Sequence, residues 1–334
     1  MCIRDRSTPA AGRIIACVEA ACLLPPEAHQ AFETVAREDM EASPEAAALR
    51  WVARAERLAV ALPPAVARSR AAAPDGIGLH GVAPELVTLA RLALARGLRV
   101  AWHHPDPKAA AANLAALDLA EAAEQRAGRL SAGARAAGRA RLQDGGDAPL
   151  HIHAKPVPPP VTSDGPVRLV LGGADSALGL AIAPHGASCE LSLPPGLVPD
   201  AGSEGLALAV AALRRLGLSP VLVGQRPILG RSLVTAGKTA LARLVAQGVP
   251  KTRLHAALEG FGARMTPGMA DESPPEPELA GAGIDASESL ARWLGALANE
   301  GFRLLDQGIA RRPSDIDLVP VSYTHLTLPT ILRV

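Results

Sequence analysis

The chain has 334 residues, 49% apolar and only 2% aromatic, with a formal net charge of +1. That length allows two domains with sizeable aliphatic cores, while near-neutrality without a sustained basic block argues against a polyanion partner, and scarce aromatics argue against a base-stacking surface for single-stranded nucleic acid. Cys2, Cys17, Cys22 and Cys189 show no metal spacing, no uncharged apolar run has transmembrane length, and the N-terminus lacks an apolar signal core, so a reduced, cytoplasmic chain without a membrane span is expected.

The two ends stand apart. MCIRDR (1–6) and VSYTHLTLPTILRV (321–334) look like translated sequencing-adapter read-through of the kind met in metagenomic assemblies. The chain's one tyrosine, Tyr323, lies there, and Thr324, Thr327 and Thr330 crowd a sequence otherwise sparing with threonine. The natural protein is expected to be longer at both ends. Residues 7–62 read as helices: one through Ile14, Ile15, Val18 and Ala21, broken at Pro25-Pro26, and a second from Ala28 to Met40. A third is begun by Ser43-Pro44-Glu45, with serine as N-cap and proline at the first helical position, and runs through Leu49, Val52 and Leu58. Residues 63–74 are a linker by composition.

The stretch from Asp75 to Asp106 organises the central part of the chain. Ile77–Gly81 reads as a strand. Leu86, Leu89, Ala90, Ala93 and Leu94 lie at helical spacing and stop at Gly97, and Leu98–Trp102 reads as a second strand. Strand, glycine turn, helix and strand make the first half of a dinucleotide-binding βαβ unit. The turn reads Gly81-Val82-Ala83-Pro84-Glu85-Leu86 where G-x-G-x-x-G is the fingerprint, so Gly81 is in place, Ala83 stands at the second glycine and Leu86 at the third. Leucine at that close-packing position is expected to push the helix away from the strand.

Pro107–Gln125 and a segment restarting at Gly128–Ser131 are helical, and Asp147–Ala154 holds a short strand. Lys155–Pro160 cannot belong to a central strand, because proline has no N–H to donate. Val167–Leu171, Leu178–Ala183 and Ser219–Val223 are further strands and Glu204–Leu216 a helix, an alternation that predicts a mostly parallel sheet with helices on both faces. From Pro227 the pattern is helical: about Leu229–Gln247, Lys251–Phe261, and an apolar stripe through Leu290, Trp293, Leu297, Leu304 and Ile309, with an acidic, proline-rich loop at Asp271–Pro277.

Several short motifs have plain readings. His151 and His153 form an H-x-H pair on one face of a strand, a spacing that suits a metal, but no third ligand is evident in the sequence and strand residues near a sheet end are the favoured reading. His103 and His104 read as strand-end polar residues. Gly237-Lys238-Thr239 mimics the end of a phosphate loop but sits in a helix. Asp315 and Asp317 resemble an acidic metal pair, yet Ser314 and Asp315 at a helix start are explained by capping and the helix dipole.

Asn299-Glu300-Gly301 through Gly308-Ile309-Ala310, then Arg312, Ser314, Asp315, Ile316 and Asp317, resembles the "NEG…GIA.R.SDID" signature of the 3-hydroxyacyl-CoA dehydrogenase portion of the multifunctional fatty-acid β-oxidation α-subunit. Ala257–Gly262 with Met265-Thr266-Pro267, Arg214–Gly217 with Pro220–Val223, and Ser43-Pro44-Glu45 with Ala48-Leu49-Arg50 are similar to further pieces of that family. The resemblance covers nearly all of residues 7–320. It implies an α/β fold: a helical remnant (7–62) of a preceding enoyl-CoA hydratase domain, the linker, a Rossmann-type, mostly parallel NAD-binding-like domain (75–225) and an all-helical dehydrogenase C-terminal domain (226–320). It further implies NAD as cofactor, an acyl-CoA substrate, and a homo-oligomer or a thiolase partner.

The same resemblance places substitutions at the family's working positions. The histidine base falls on Ala181, the glutamate that orients it falls near Ser192, and a substrate-holding asparagine falls on Gly230. The ribose-binding acid falls on His104, with Asp106 two residues on, leaving Gly81, Ala83 and Asp106 as the cofactor-binding candidates. His185, four residues after Ala181, is the place to look for a displaced base. Two functions are compatible with these residues: an NAD-dependent dehydrogenase portion, or a non-catalytic module that keeps the fold to support a hydratase domain or subunit assembly.

Overall fold

The computed structural model describes residues 9–68, 71–154, 167–173, 178–182, 188–193, 204–224, 226, 228–261, 263 and 283–324. Lys155–Pro160, Asp271–Pro277 and His185 lie outside the described residues.

The N-terminal part is helical, as expected: α1 (Pro9–Leu23), α2 (Pro26–Ala42) and α3 (Pro44–Val60). Ser43 caps α3, its hydroxyl accepting the Ala46 N–H at 3.1 Å with Pro44 at the first position. The composition-based linker contains a further short helix, α4 (Pro64–Arg68), whose Val66 is buried in the core under the sheet. Apolar burial there outweighs the loop signal of the surrounding prolines.

An eight-stranded sheet comes next, in the order β3-β2-β1-β4-β5-β6-β7-β8. The strands are β1 (Gly76–His80), β2 (Arg99–His103), β3 (Leu142–Gln143), β4 (Leu150–His153), β5 (Val167–Leu171), β6 (Leu178–Ile182), β7 (Ser188–Ser192) and β8 (Ser219–Val223). All neighbours pair in parallel except β6 and β7. The short β3 and the antiparallel β7 are additions to the strands expected from the sequence, the first because two residues carry no periodicity and the second because SCELS (188–192) is short and offers only two apolar residues, Cys189 and Leu191. Helices α5 (Pro84–Ala95), α6 (Pro107–Arg126), α7 (Ala132–Arg139) and α8 (Glu204–Arg215) connect these strands.

Register divides the sheet into two faces. On one, Ile77, Leu79, Val100, Trp102, Leu150, Ile152, Leu169, Leu180 and Leu191 pack with Leu86, Leu89 and Ala90 of α5 and Leu206, Val210 and Leu213 of α8 in a continuous aliphatic core. Leu86 is fully buried there, so the helix seats on the sheet through this side chain where the fingerprint has glycine. The opposite face carries Gly78, His80, His103, His151, His153, Arg168, Ala181, Glu190 and Val221, which the pairing registers set side by side.

The helical segments α9 (Leu229–Ala246), α10 (Lys251–Phe261), α11 (Ala286–Asp306) and α12 (Pro313–Thr324) build a second core around Trp293, Leu297, Leu304 and Ile316. That core takes in Val221 and Val223 of β8, so it covers the second face at the β7–β8 end of the sheet. α3 joins it: Trp51 Nε1 donates to Asp317 Oδ2 at 2.7 Å, and the Arg312 guanidinium donates to the Leu58 carbonyl. Gly237 of the phosphate-loop mimic is a packing residue in α9, where a Cβ would lie 3.0 Å from Trp293 Nε1. Ser314 is not a cap. It is buried within the first turn of α12 with no hydrogen-bond partner for its hydroxyl among the described residues, while Asp315 is fully buried beside Arg312 at 3.3 Å. Burial raises the Asp315 carboxyl above its usual range against the pull of that arginine.

Candidate functional site

The turn after β1 keeps part of a nucleotide-binding geometry. Gly81 has φ +98°, which favours glycine, and a Cβ there would meet Ala154 Cβ at 2.9 Å. Its carbonyl is already used, accepting from Asn113 Nδ2 at 3.0 Å and Trp102 Nε1 at 3.3 Å. Ala83 is the extended N-cap residue of α5 and offers no side-chain cap; Pro84 stands at the first helical position and the exposed Glu85 sits in the first turn. At the end of β2, the Asp106 carboxylate accepts the Lys108 N–H at 3.0 Å as the N-cap of α6, and its own N–H donates to His104 Nδ1. Asp106, a cofactor-binding candidate by sequence, thus uses one carboxylate oxygen as a helix cap.

The second group lies where β6, β7 and α9 meet. Ala181 is paired across the antiparallel ladder with Glu190, while Ser192 is paired with Gly179. The acidic residue opposite Ala181 is thus Glu190, two residues before the position expected from the sequence. Glu190 is 1% exposed. Its two carboxylate oxygens accept the backbone N–H groups of Leu229 (2.8 Å) and Gly230 (2.9 Å) at the start of α9. A buried carboxylate against a helix N-terminus is favoured by both hydrogen bonding and the helix dipole. The structure thereby brings Ala181, Glu190 and Gly230 into one place, with Ser192 on the same face one pair further on.

The third group is half legible in the sequence. The β1–β4 pairing sets Gly78 beside His151 and His80 beside His153, so three histidines share one face. This corrects the sequence reading that His151 and His153 lack a third ligand: the partner is His80, 71 residues before His151 in the chain. The three ligand-capable nitrogens all lie within 4.8 Å of one another. His80 Nε2 is 2.6 Å from His151 Nδ1, a separation that requires one N–H and one lone pair. The His80 and His153 rings stack at 4.3 Å with planes 9° apart. His103, next on β2, meets His80 edge to face at 6.4 Å and lies 3.6 Å from Asp144.

Electrostatics keep these imidazoles neutral. His80 is pushed down to about 4, first by burial and then by the surrounding histidines. His153 is pushed down to about 4, first by burial and then by the Arg168 guanidinium. His151 is lowered too, again mainly by burial. Neutral imidazole is the form that accepts a hydrogen bond or ligates a metal.

No family model and no curated protein matches this sequence. Among solved structures, the chain is similar to the dehydrogenase part of multifunctional enzyme 1 from C. elegans, with 13% identity and a TM-score of 0.56 over 81% of this chain and 86% of that one. FadB2 from M. tuberculosis (16% identity, TM-score 0.48, 72% and 90% coverage) and a (S)-3-hydroxybutyryl-CoA dehydrogenase from Ralstonia eutropha (13%, 0.44, 78% and 98%) align more loosely. The chain therefore has the fold of that dehydrogenase part, a Rossmann-type, mostly parallel sheet followed by a helical C-terminal domain.

Proposed function

We propose that this chain is a 3-hydroxyacyl-CoA dehydrogenase module that keeps the fold but has lost the hydride-transfer chemistry, serving as a non-catalytic partner for a hydratase domain or for subunit assembly. The observation that carries the reading is the pair Ala181 and Glu190. In the family it resembles, a histidine takes the hydroxyl proton and a carboxylate orients it. Here a methyl group stands at the base position, and the carboxylate opposite is committed through both oxygens to the N-terminus of α9. A methyl group accepts no proton, so general-base chemistry has no agent at this position.

The residues present also fit a dinucleotide poorly. Gly81 suits the pyrophosphate turn, but the Glu85 carboxylate sits in the helix turn that a pyrophosphate would approach and opposes its charge. His104 stands where the ribose-binding acid is expected, and the acid two residues on, Asp106, caps α6. Leu86 fills the close-packing position with a buried side chain. No step is therefore assigned to NAD.

The test is spectrophotometric. The purified chain, mixed with NAD and a 3-hydroxyacyl-CoA, is expected to form no NADH above background, and calorimetric titration with NAD is expected to show no saturable binding below the millimolar range. Turnover that a Gly81→Val substitution abolishes would establish the active-dehydrogenase reading instead.

A further inference from the structure

We propose that His80, His151 and His153 form a binding site for a divalent transition metal ion of the zinc class, with three imidazole nitrogens as ligands and the fourth position open to water or an anion. This proposal is independent of whether the chain retains dehydrogenase activity.

Topology supplies the convergence. His151 and His153 are two apart on β4 and so point to one face, and parallel pairing with β1 brings His80 to the same face from a neighbouring strand. Ligands donated by adjacent strands inherit the rigidity of the sheet, which a loop-borne set lacks. Gly78 adds a specific accommodation. A Cβ at that position would lie 2.5 Å from His151 Nδ1, so glycine in mid-strand is what lets the ring occupy this space.

His153 supplies an independent observation. It is 7% exposed, and its Nε2 has no hydrogen-bond partner among the described residues. Buried polar atoms are almost always satisfied, and an orphan in a cluster of ligand-capable nitrogens is what a metal would satisfy. His80 and His151 share a single short hydrogen bond; a tetrahedral ion with nitrogens about 2.0–2.1 Å away would spread that pair by less than about 1 Å.

The donor set selects the ion. Imidazoles without carboxylate or thiolate suit zinc, copper, nickel or cobalt and do not suit magnesium or calcium. The Arg168 guanidinium, in register with His151 on β5, disfavours a bare cation and favours an anion such as hydroxide in the open position. Helices α5 and α8 pack on the other side of the sheet, so the open position faces away from them.

The experiment uses the full chain without a histidine tag, stripped with a chelator and titrated with zinc chloride by calorimetry. Cobalt(II) is the spectroscopic substitute, because its visible absorption reports the coordination number. The expected result is saturable binding of a single ion per chain, with a tetrahedral-type cobalt spectrum. Replacing His80, His151 or His153 with Gln should weaken zinc binding by about tenfold or more each. Gly78→Ala, which removes no ligand, should weaken it through displacement of the His151 ring. His255→Gln, on α10, should leave binding unchanged. Circular dichroism checks that each variant is folded; if those at His151 and His153 are not, His80→Gln, at a partly exposed strand end, carries the comparison. A folded wild-type chain that shows no saturable zinc binding, or zinc binding that survives loss of the histidines, overturns the site.

Discussion

The backbone N–H of Gly230 donates to the Glu190 carboxylate at 2.9 Å, and that of Leu229 donates to its other oxygen at 2.8 Å. One buried side chain of β7 thus ties the sheet to the first turn of α9 and so joins the two cores. Glu190→Gln keeps the shape and removes the charge, leaving an amide nitrogen facing an N–H group. It should cost about 1–3 kcal/mol, and Glu190→Ala should cost more because two buried donors lose their acceptor. Urea denaturation monitored by circular dichroism measures both; unchanged midpoints would mean that Glu190 does not hold the two parts together.

Ala181→His puts an imidazole opposite Glu190 without altering any other position. If the missing base were the one defect, this variant would begin to oxidise a 3-hydroxyacyl-CoA. The expected outcome is no NADH formation above background, because Glu85 and Asp106 still oppose or ignore a dinucleotide and Glu190 still faces α9. Measurable turnover in Ala181→His would show that the cofactor turn is competent and that the loss is confined to one residue.

Two neighbouring glycines, Gly224 and Gly308, should respond differently to alanine. A Cβ on Gly224, just after β8, would lie 2.3 Å from the Gly308 carbonyl oxygen, a backbone atom that cannot swing aside. Gly224→Ala should cost about 2–3 kcal/mol and loosen the Gly224 N–H bond to the Ile309 carbonyl, which is 2.8 Å long. Gly308 has φ +67° with nothing within 4 Å of its hypothetical Cβ. Gly308→Ala should therefore cost only the left-handed backbone penalty, about 1 kcal/mol. Equal effects in thermal denaturation would count against the close approach.

The stability of the metal-free chain should depend on pH through His80 and His153. Both have folded-state values near 4, below the ordinary 6.5, so the unfolded chain binds more protons than the folded one between those values. Stability is full above about pH 6.5 and falls as the pH drops toward 4. After allowance for solvent screening the loss should be about 1 kcal/mol per histidine. Urea midpoints at pH 7.5, 6, 5 and 4 test this, and the slope should flatten in His80→Gln and His153→Gln. A midpoint indifferent to pH across this window would mean that the imidazoles are not held neutral by the fold.

Most of the secondary structure is legible in the sequence because its signals are local. Ser43-Pro44-Glu45 marks the start of α3, leucines and alanines at helical spacing mark α5, α8 and α11, and Gly97 marks the stop before β2. Those cues act within a few residues, and the helices and parallel strands they imply are the ones observed. α4 is hidden because its proline-rich composition says loop, while Val66 says core only when the sheet is there to receive it. β7 is hidden because Ser188, Glu190 and Ser192 look like a solvent face in sequence, yet the helical part of the chain buries them.

The sites divide along the same line. The sequence alone determined that the glycine turn is incomplete, that Ala181 cannot act as a base, and that His151 and His153 share one face of a strand, because each of these comes from residue identity or from a period of two. Tertiary structure decided the rest. Antiparallel register placed Glu190, and not Ser192, opposite Ala181, and parallel register brought His80 to His151 and His153 to complete the histidine cluster. Pairing register depends on how distant strands meet, and a one-residue slip sends every side chain to the other face. The physical reason is that convergence of side chains on a sheet belongs to the pairing, which no single strand contains.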